Sequence, residues 1–104
     1  MYAAPLGHWE YEMPQPVYSR DAVQQAFRLC VSELRGKRGI AQEKLAANAG
    51  IDRAYMSRLE RGQNSPTLYM LLRLCAGLDL SFEEFAAEFA RSLRRARRNA
   101  HPQD

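Results

Sequence analysis

The most informative part of this chain is Ala41–Gly62, with the sequence AQEKLAANAGIDRAYMSRLERG. Its apolar spacing predicts one short helix from about Ala41 or Gln42 to Asn48, followed by a turn at Ala49 and Gly50. Asp52 is a good N-cap for a second short helix over residues 53–61. The sequence therefore predicts two short helices joined by a tight turn, with a glutamine at the head of the first and basic side chains on the second.

Longer helical patterns lie on both sides of this stretch. A first helix is expected to begin near Asp21, which can form a capping box with Gln24, and to end at Gly39 in a left-handed conformation. Thr67 caps a fourth helix, and Ser81 with Glu84 forms the capping box of a fifth. Because no segment has a credible strand pattern, we predict an all-α domain of five helices.

Apolar stripes on three of these helices define the expected core. We assign Phe82 and Phe85 to that core, whereas Phe89 and Leu93 extend the last stripe beyond what a five-helix core needs. Phe89 and Leu93 are therefore candidates for dimer contact or for packing of the N-terminal residues. The stripes comprise Val23, Ala26, Phe27, Cys30, Val31 and Leu34 in helix 1, Leu68, Leu71, Leu72 and Cys75 in helix 4, and Phe82, Phe85, Ala86, Phe89 and Leu93 in helix 5.

Charge is unevenly distributed along the chain. Residues 20–62 carry nine basic and five acidic residues, hence a net charge of +4, whereas the whole chain carries +3. A basic segment that coincides with the two short helices favours a polyanion partner, and the alternative is a solvated charged face. Two helices in this arrangement form a helix-turn-helix, which lays its second helix in the major groove of DNA.

Other features exclude several classes of protein and site. No apolar run approaches the ~18 residues of a membrane span, and the N-terminus lacks a signal peptide, so we expect a cytoplasmic protein with no membrane partner. Cys30 and Cys75 occupy apolar helix positions, which predicts buried, reduced thiols. With His8 and His101 they have no zinc-ligand spacing. We expect no metal, no cofactor and no enzyme activity, because no nucleophile–base pair or phosphate loop is present.

The chain divides into three parts. Residues 1–19 hold prolines, Trp9 and several tyrosines, which is typical either of an extended arm packed on the domain or a partner, or of a loose tail. Residues 20–90 form the helix-turn-helix domain. Residues 91–104 extend the last helix with an arginine run. This run is a second phosphate-binding patch, a partner of acidic side chains on a neighbouring helix, or a solvated face; the residues concerned are Arg91, Arg94, Arg95, Arg97 and Arg98, with Glu83, Glu84 and Glu88 as the acidic candidates.

The chain resembles the Cro/repressor-type helix-turn-helix family, also called the XRE family. The resemblance rests on three segments at fixed offsets, LRGKRGIAQEKLA, AGIDRAYMSRLERG and NSPTLYMLLRLCAGLDLSFEEF, and covers roughly residues 21–86. It implies a five-helix Cro/repressor-like domain that binds double-stranded DNA. It also implies a twofold homodimer on two half-sites about one helical turn apart.

The resemblance assigns phosphate contacts to both ends of the motif. Gln42 matches the family's glutamine at the head of helix 2, where free N–H groups and the helix dipole favour an anion. In the family, the loop after helix 3 grips the phosphate backbone, and the matching residues here are Arg61, Gln63 and Asn64. Contacts of this kind set register and salt dependence rather than sequence choice.

Helix 3 supplies the residues expected to read bases. Arg53 is the main reader, because its planar fork matches guanine O6 and N7. Arg58 is expected to contact a base or a phosphate, and Tyr55 a thymine methyl or a phosphate. Ala54 is long enough only for a methyl contact, and Ser57 lies on the same outward side.

Arg35 and Glu60 match an ion pair that, in the family, orients the recognition helix against helix 1. Their expected role is structural. Two positions depart from the family pattern. Ala41 stands where Ser or Thr usually caps helix 2, which typically costs about 1 kcal/mol. Asp79 stands where glycine is common, although Asp tolerates the left-handed conformation better than most residues.

Two functions from different classes follow from these features. The first is a bacterial or phage transcriptional regulator, repressor-like, that occupies operator DNA on the nucleoid as a homodimer; antitoxin and restriction-modification controller are compatible subtypes. The alternative is a protein-interaction adaptor or antitoxin-type module on the same fold, with the helical face or the aromatic arm as its partner-binding surface. Loss of Arg53 and Arg58 distinguishes them, because only DNA binding depends on these side chains.

Overall fold

The computed structural model describes residues 18–100, with side chains described as far as residue 96. This part of the chain forms five helices: α1 (Arg20–Arg38), α2 (Gln42–Ala49), α3 (Arg53–Glu60), α4 (Leu68–Gly77) and α5 (Phe82–Ala100). Residues 18–100 contain no strand, so the predicted all-α, five-helix class is confirmed. Some predictions fall outside the described residues. They concern the arm up to residue 17 with Trp9, the tail from residue 101, and the side chains of Arg97 and Arg98.

One cluster of buried side chains joins the five helices. Helix α1 packs along α5 and against α3, and α2 packs against α3 and α4. Full burial of a large apolar side chain contributes about 1.5–3 kcal/mol to stability, so this cluster supplies the main driving force for folding. Its fully buried members include Val31, Leu45, Met56, Leu59, Leu74, Leu78 and Phe85.

Helices α1 and α5 lie side by side and run in the same direction, because contacts between them advance together along both helices. The ring centroid of Phe27 lies 6.0 Å from that of Phe85 and 6.1 Å from that of Phe89. Farther along, Arg95 pairs with Glu33 at 3.2 Å. Phe85 is buried in the core as predicted. Phe89 is half-buried and stacks on Phe85, so part of its ring is already covered within its own chain.

Helix α1 begins at Arg20, near Asp21 as predicted, but the predicted capping residue was wrong. Ser19, rather than Asp21, is the N-cap, and its hydroxyl accepts a hydrogen bond from the backbone N–H of Ala22 at 3.0 Å. Serine caps as well as aspartate does, and Asp21 was preferred only because Gln24 follows it at capping-box spacing. Asp21 instead lies in the first turn, where its carboxylate faces the positive end of the helix dipole.

Three apolar side chains that the sequence assigned to core-facing stripes are exposed instead: Leu68 (68%), Leu72 (45%) and Phe82 (46%). Leu78, directly after α4, is fully buried and marks the side of the helix that faces the core. Leu72 precedes it by six positions and therefore points about 120° away, at 3.6 residues per turn. Phe82 is the first residue of α5, one turn before the buried Phe85.

The two turns around α2 lie where they were predicted, and Gly39 has the predicted left-handed backbone. Gly39 and Gly50 both adopt the left-handed conformation, with φ of 63° and 68°. The N–H of Ile51 donates to the carbonyl of Ala46 at 2.9 Å, and Ile51 is 6% exposed, so its side chain plugs the turn. Asp79 adopts φ of 59°, the left-handed conformation that glycine usually supplies there in the family.

The predicted caps of α4 and α5 are also present. The Thr67 hydroxyl accepts from the backbone N–H of Met70 at 3.1 Å. The Ser81 hydroxyl accepts from the N–H of Glu84 at 3.0 Å, while the Glu84 carboxylate accepts from the N–H of Ser81 at 2.8 Å. This reciprocal capping box sets the first turn of α5.

Candidate nucleic-acid interface

The turn between α2 and α3 presents α3 with one side inward and the opposite side to solvent. The Asp52 carboxylate accepts from the backbone N–H of Tyr55 at 3.0 Å, as predicted for the N-cap. Met56 and Leu59 are fully buried and fix the rotation of the helix about its axis. Four of the five predicted base readers lie on the outward side: Arg53, Ala54 and Arg58 are exposed, and Ser57 is half-buried.

Tyr55 lies at the border of this outward side. It is half-buried and packs against the hydrophobic core. The guanidinium carbon of Arg58 stands 5.7 Å from the centre of its ring, within the range of a cation–π interaction. Tyr55 therefore supports Arg58, a role that the sequence did not indicate.

Arg53, the predicted main reader, is engaged by a carboxylate of the other motif helix. Its Nη1 lies 2.8 Å from Oε2 of Glu43, the second residue of α2. Both side chains are largely exposed, at 70% and 64%. An ion pair this exposed contributes at most about 1 kcal/mol to stability. The sequence did not predict this pair.

The loop after α3 gathers three predicted phosphate-contact residues next to the helix. Arg61 donates to the hydroxyl of Ser57 and, at 3.3 Å, to Oε1 of Gln63. With the Asn64 amide oxygen turned toward Arg58, that oxygen accepts from Nε at 3.3 Å. The structure thus brings these three residues together with the last outward residues of the recognition helix.

Gln42, the fourth predicted phosphate contact, lies apart from this cluster. It is the first residue of α2 and is half-buried. Ala41 adopts the extended backbone of an N-cap, with φ of −71° and ψ of 156°, but makes no side-chain capping bond. The first-turn N–H groups of α2 therefore lack a bond from their N-cap side chain, and such groups attract anions.

The predicted ion pair between α1 and α3 is present and is bidentate. Nε and Nη2 of Arg35 donate to the two carboxylate oxygens of Glu60 at 2.8 and 2.9 Å. The third donor, Nη1, bonds the carbonyl oxygen of Ile40 at 2.8 Å. The Glu60 side chain is 7% exposed and that of Arg35 is 23% exposed. One guanidinium therefore joins α1, α3 and the segment before α2.

Arg73 holds the turn of the motif from outside it, a contact that the sequence did not predict. Its Nε donates to the carbonyl of Ala49 at 2.8 Å, and its Nη2 to the carbonyl of Gly50 at 3.2 Å. These are carbonyls at the end of α2, where a positive charge also complements the helix dipole. Tyr69 positions the arginine, since its hydroxyl accepts from Nη1 at 2.8 Å and its ring lies 5.4 Å from the guanidinium carbon.

The arginine run of α5 is partly paired with acidic side chains. Arg91 pairs with Glu88 one turn earlier on the same helix. Arg95 pairs with Glu33 of α1, at 3.3 and 3.2 Å. The sequence predicted Glu88 as a partner on a neighbouring helix, but Glu88 pairs with an arginine of its own helix. The sequence did not predict Glu33 as a partner. The Arg91 bond lowers the pKa of Glu88.

The two cysteines are buried and free, as predicted. Burial raises the pKa of the Cys30 thiol to about 12, although the Ser92 hydroxyl opposes that shift with a hydrogen bond. Burial also raises the pKa of the Cys75 thiol. Both thiols are therefore protonated at neutral pH, and a thiol is a weak nucleophile compared with a thiolate.

Residues 18–100 offer no group of three or more His, Cys, Asp or Glu side chains placed to hold a metal ion. Among the helices of that range, none is both long and apolar enough to cross a lipid bilayer.

Comparison with known proteins identifies the family. A family model described as helix-turn-helix matches residues 31–85, more than half of the chain. The chain belongs to this helix-turn-helix family. The match begins inside α1, covers α2, α3 and α4 completely, and ends in the first turn of α5. The arginine run of this helix-turn-helix protein therefore lies outside the family core.

Several relatives are named as HTH-type transcriptional regulators. An uncharacterized one from Sinorhizobium fredii is 38% identical over 53 residues, which are 51% of this chain and 69% of the relative. An uncharacterized one from Haemophilus influenzae is 31% identical over 80 residues, which cover 72% of this chain and 82% of the relative. The helix-turn-helix protein thus falls within a family of transcriptional regulators.

Solved structures of restriction-modification controller proteins have the same fold. Wild-type C.Esp1396I has a TM-score of 0.66 and 25% identity, and the match covers 70% of this chain and 95% of the controller. C.AhdI from Aeromonas hydrophila has a TM-score of 0.57 and 37% identity, over 60% of this chain and 94% of that protein. C.Esp1396I was also solved as a tetramer in complex with its natural 35 base-pair operator, a structure with a TM-score of 0.65 and 25% identity that covers 68% of this chain and 93% of the controller.

Proposed function

We propose that this helix-turn-helix protein is a sequence-specific, repressor-like transcriptional regulator that binds operator DNA as a homodimer. Helix α3 enters the major groove, and the protein acts on the bacterial nucleoid by occupying DNA near a promoter. The observation that carries the proposal is the outward side of α3, where Arg53, Ala54 and Arg58 are exposed together. A base-reading helix needs such a side, because sequence is read through donors and methyl contacts at the base edges.

The supports around α3 favour this function. A reading helix must keep its orientation while it makes contacts whose energies depend on angle and distance. Here the Arg35–Glu60 pair ties α3 to α1, and buried Met56 and Leu59 fix its rotation. Arg73 adds bonds to the end of α2, so the turn before α3 is held from a third helix.

We assign the phosphate contacts to the two ends of the motif. Arg61, Gln63 and Asn64 lie in the loop after α3, and Gln42 lies at the start of α2. The net charge of +4 over residues 20–62 favours approach to a polyanion. Contacts of this type position the protein on the duplex, and they make its affinity fall steeply with salt.

A homodimer fits both the expected DNA site and the exposed apolar side chains. Two copies related by a twofold axis read two half-sites, which gives specificity that one short helix does not reach alone. Leu68, Leu72 and Phe82 are exposed on α4 and at the start of α5, outside the α2–α3 surface. We place the dimer contact there, and Phe89 and Leu93, which are both half-buried on α5, remain the other candidates. The controller solved as an operator-bound tetramer supports association on DNA.

A protein-interaction adaptor is the second candidate, and the same exposed apolar side chains favour it. In that function Leu72 and Phe82 contact a different protein, and the N-terminal arm adds further contacts. The exposed arginines on α3 favour DNA instead, because the guanidinium fork matches the major-groove edge of guanine.

Selection from random duplex DNA tests the proposal. We expect a palindromic winner whose half-sites lie about one helical turn apart. Binding of that duplex at two salt concentrations should show a steep loss of affinity with salt, as expected for several phosphate contacts. Equal binding to every duplex, or no enrichment at all, would reject the specific-regulator function and favour the adaptor.

A further inference from the structure

The ion pair between Arg53 and Glu43 places a negative charge on the surface that the proposed function turns toward DNA. Glu43 belongs to the first turn of α2, and Arg53 is the first residue of α3, so the pair bridges the two helices of the motif. Two other arginines nearby, Arg58 in α3 and Arg61 directly after it, contact neutral groups. Arg58 faces the ring of Tyr55, and Arg61 bonds Ser57 and Gln63. Arg53 thus differs from them in the charge of its partner.

A carboxylate at this place has two opposing effects on DNA binding. Its charge repels the phosphate backbone and so weakens binding to any duplex by a similar factor. Its bond to Nη1 also restrains a long side chain, which otherwise samples many rotamers and reaches phosphates as readily as bases. One bond from Nη1 leaves the other guanidinium donors of Arg53 free to meet guanine O6 and N7.

The pair is too exposed to matter much for folding. Both side chains are mostly in contact with solvent, and exposed pairs contribute little to stability. A change at Glu43 therefore alters DNA recognition without unfolding the protein, so the two effects can be measured separately.

We propose that Glu43 is a specificity-determining residue, which holds Arg53 for a guanine and keeps it off the phosphates. The inference rests on the proposed DNA-binding function. Glu43 lowers affinity for all duplexes but lowers it more for non-operator DNA, because there the released arginine would gain a phosphate contact. The result is a larger ratio between operator and non-operator affinity.

Glu43→Gln tests this role, since glutamine keeps the shape and removes the charge. On non-operator duplex we expect tighter binding and a salt slope steeper by about 0.9, the value for one added phosphate contact. The ratio of operator to non-operator affinity should fall by about fivefold or more, and the preference for guanine at the Arg53 base pair should weaken. Glu33→Gln is the matched control, because it removes the same charge from another exposed pair, with Arg95 on α5. The control should leave both the ratio and the slope unchanged.

A measurement without DNA separates failure of this role from failure of the proposed function. Nitrogen-15 relaxation of the Arg53 Nε–H group should report a restrained side chain in the wild type and a freer one in Glu43→Gln. Equal mobility in both proteins, or an unchanged affinity ratio in a protein that does select its site, overturns the role of Glu43 alone. Affinities for operator and non-operator DNA that rise by one common factor also overturn it, because repulsion alone then accounts for the effect. A wild type with no sequence preference rejects the proposed function, and the role of Glu43 with it.

Discussion

At the scale of single residues, Arg35 bonds three segments of the chain. These bonds hold α3 in position against α1. Two nitrogens of its guanidinium donate hydrogen bonds to Glu60, and the third donates to the carbonyl of Ile40. Glu60 is almost fully buried, so Arg35 replaces much of the solvent that its carboxylate would otherwise contact. A buried pair of this kind adds little net stability compared with apolar packing, but loss of one partner leaves an uncompensated charge.

Arg35→Met should therefore lower the free energy of unfolding by about 2–4 kcal/mol, somewhat below the full penalty for a buried pair because Arg35 is partly exposed. The double variant Arg35→Met/Glu60→Met should regain much of that loss, since no charge is then stranded. Urea unfolding followed by circular dichroism measures both. A single-variant loss under about 1 kcal/mol, or a double variant as unstable as the sum of its parts, would contradict this account.

At the scale of elements, α2 is capped less completely than α3, the other helix of the motif. Its C-terminal end has a left-handed glycine and two bonds from Arg73, whereas its N-terminal end has no side-chain cap. The Ala41 backbone already has the extended conformation that an N-cap needs. A serine at this position therefore needs no change of backbone to bond the first-turn N–H groups.

Ala41→Ser is expected to raise the free energy of unfolding by about 1 kcal/mol, the usual contribution of a side-chain cap. Ala47→Ser is the control, because Ala47 is an exposed position inside the same helix, where serine is slightly unfavourable. Thermal and urea unfolding of the three proteins provide the comparison. If Ala41→Ser is no more stable than Ala47→Ser, the first turn of α2 already has its partners.

Local signals in the sequence account for the elements that were predicted correctly. Caps and turn glycines act within a few residues, so Gly39, Gly50, Asp52 and Thr67 could be identified from the chain alone. The Arg35–Glu60 pair could be identified only through the family resemblance. The stripe of α4 was misplaced because its leucines surround the helix, and the packing of α4 against α2 and α5 decides which side is buried.

Contacts between exposed ends of different helices could not be predicted. Arg73 is a single basic residue in an apolar helix, and its bonds to the end of α2 depend on how α4 crosses α2. Glu43 reaches Arg53 because the turn brings two helix starts close together, a distance that spacing along the chain does not reveal. The N-cap of α1 was predicted wrongly because two good capping residues, Ser19 and Asp21, lie close together in the sequence.

At the scale of the whole molecule, the exposed apolar side chains and the candidate base-reading arginines lie on different elements. Arg53 and Arg58 belong to α3, whereas Leu72 and Phe82 belong to α4 and α5. Separate surfaces of this kind allow one copy to contact DNA and a second copy at the same time. Removing apolar area from water is favourable by about 25 cal/mol per Å² before the costs of association, which favours these side chains over charged ones at a dimer contact.

Leu72→Glu and Phe82→Glu should each shift the protein from dimer to monomer in sedimentation, because a buried, unpaired carboxylate disfavours the contact. The fold should remain, since both positions are exposed in one copy. Ala87→Glu is the control, an exposed position elsewhere on α5. A dimer that survives both changes but dissociates with Leu93→Glu would move the contact to Leu93. A wild type that sediments as a monomer, with and without operator, would contradict the homodimer.

Protection of guanine N7 from dimethyl sulfate shows whether Arg53 of α3 reads guanine in the major groove. N7 lies on the major-groove edge of guanine, where an arginine fork covers it. On the selected duplex, the wild type should protect one guanine in each half-site, Arg53→Ala should lose that protection, and Arg91→Ala, whose guanidinium is bonded to Glu88 on α5, should keep it. A selected duplex without N7 protection, or protection that persists in Arg53→Ala, would contradict this account.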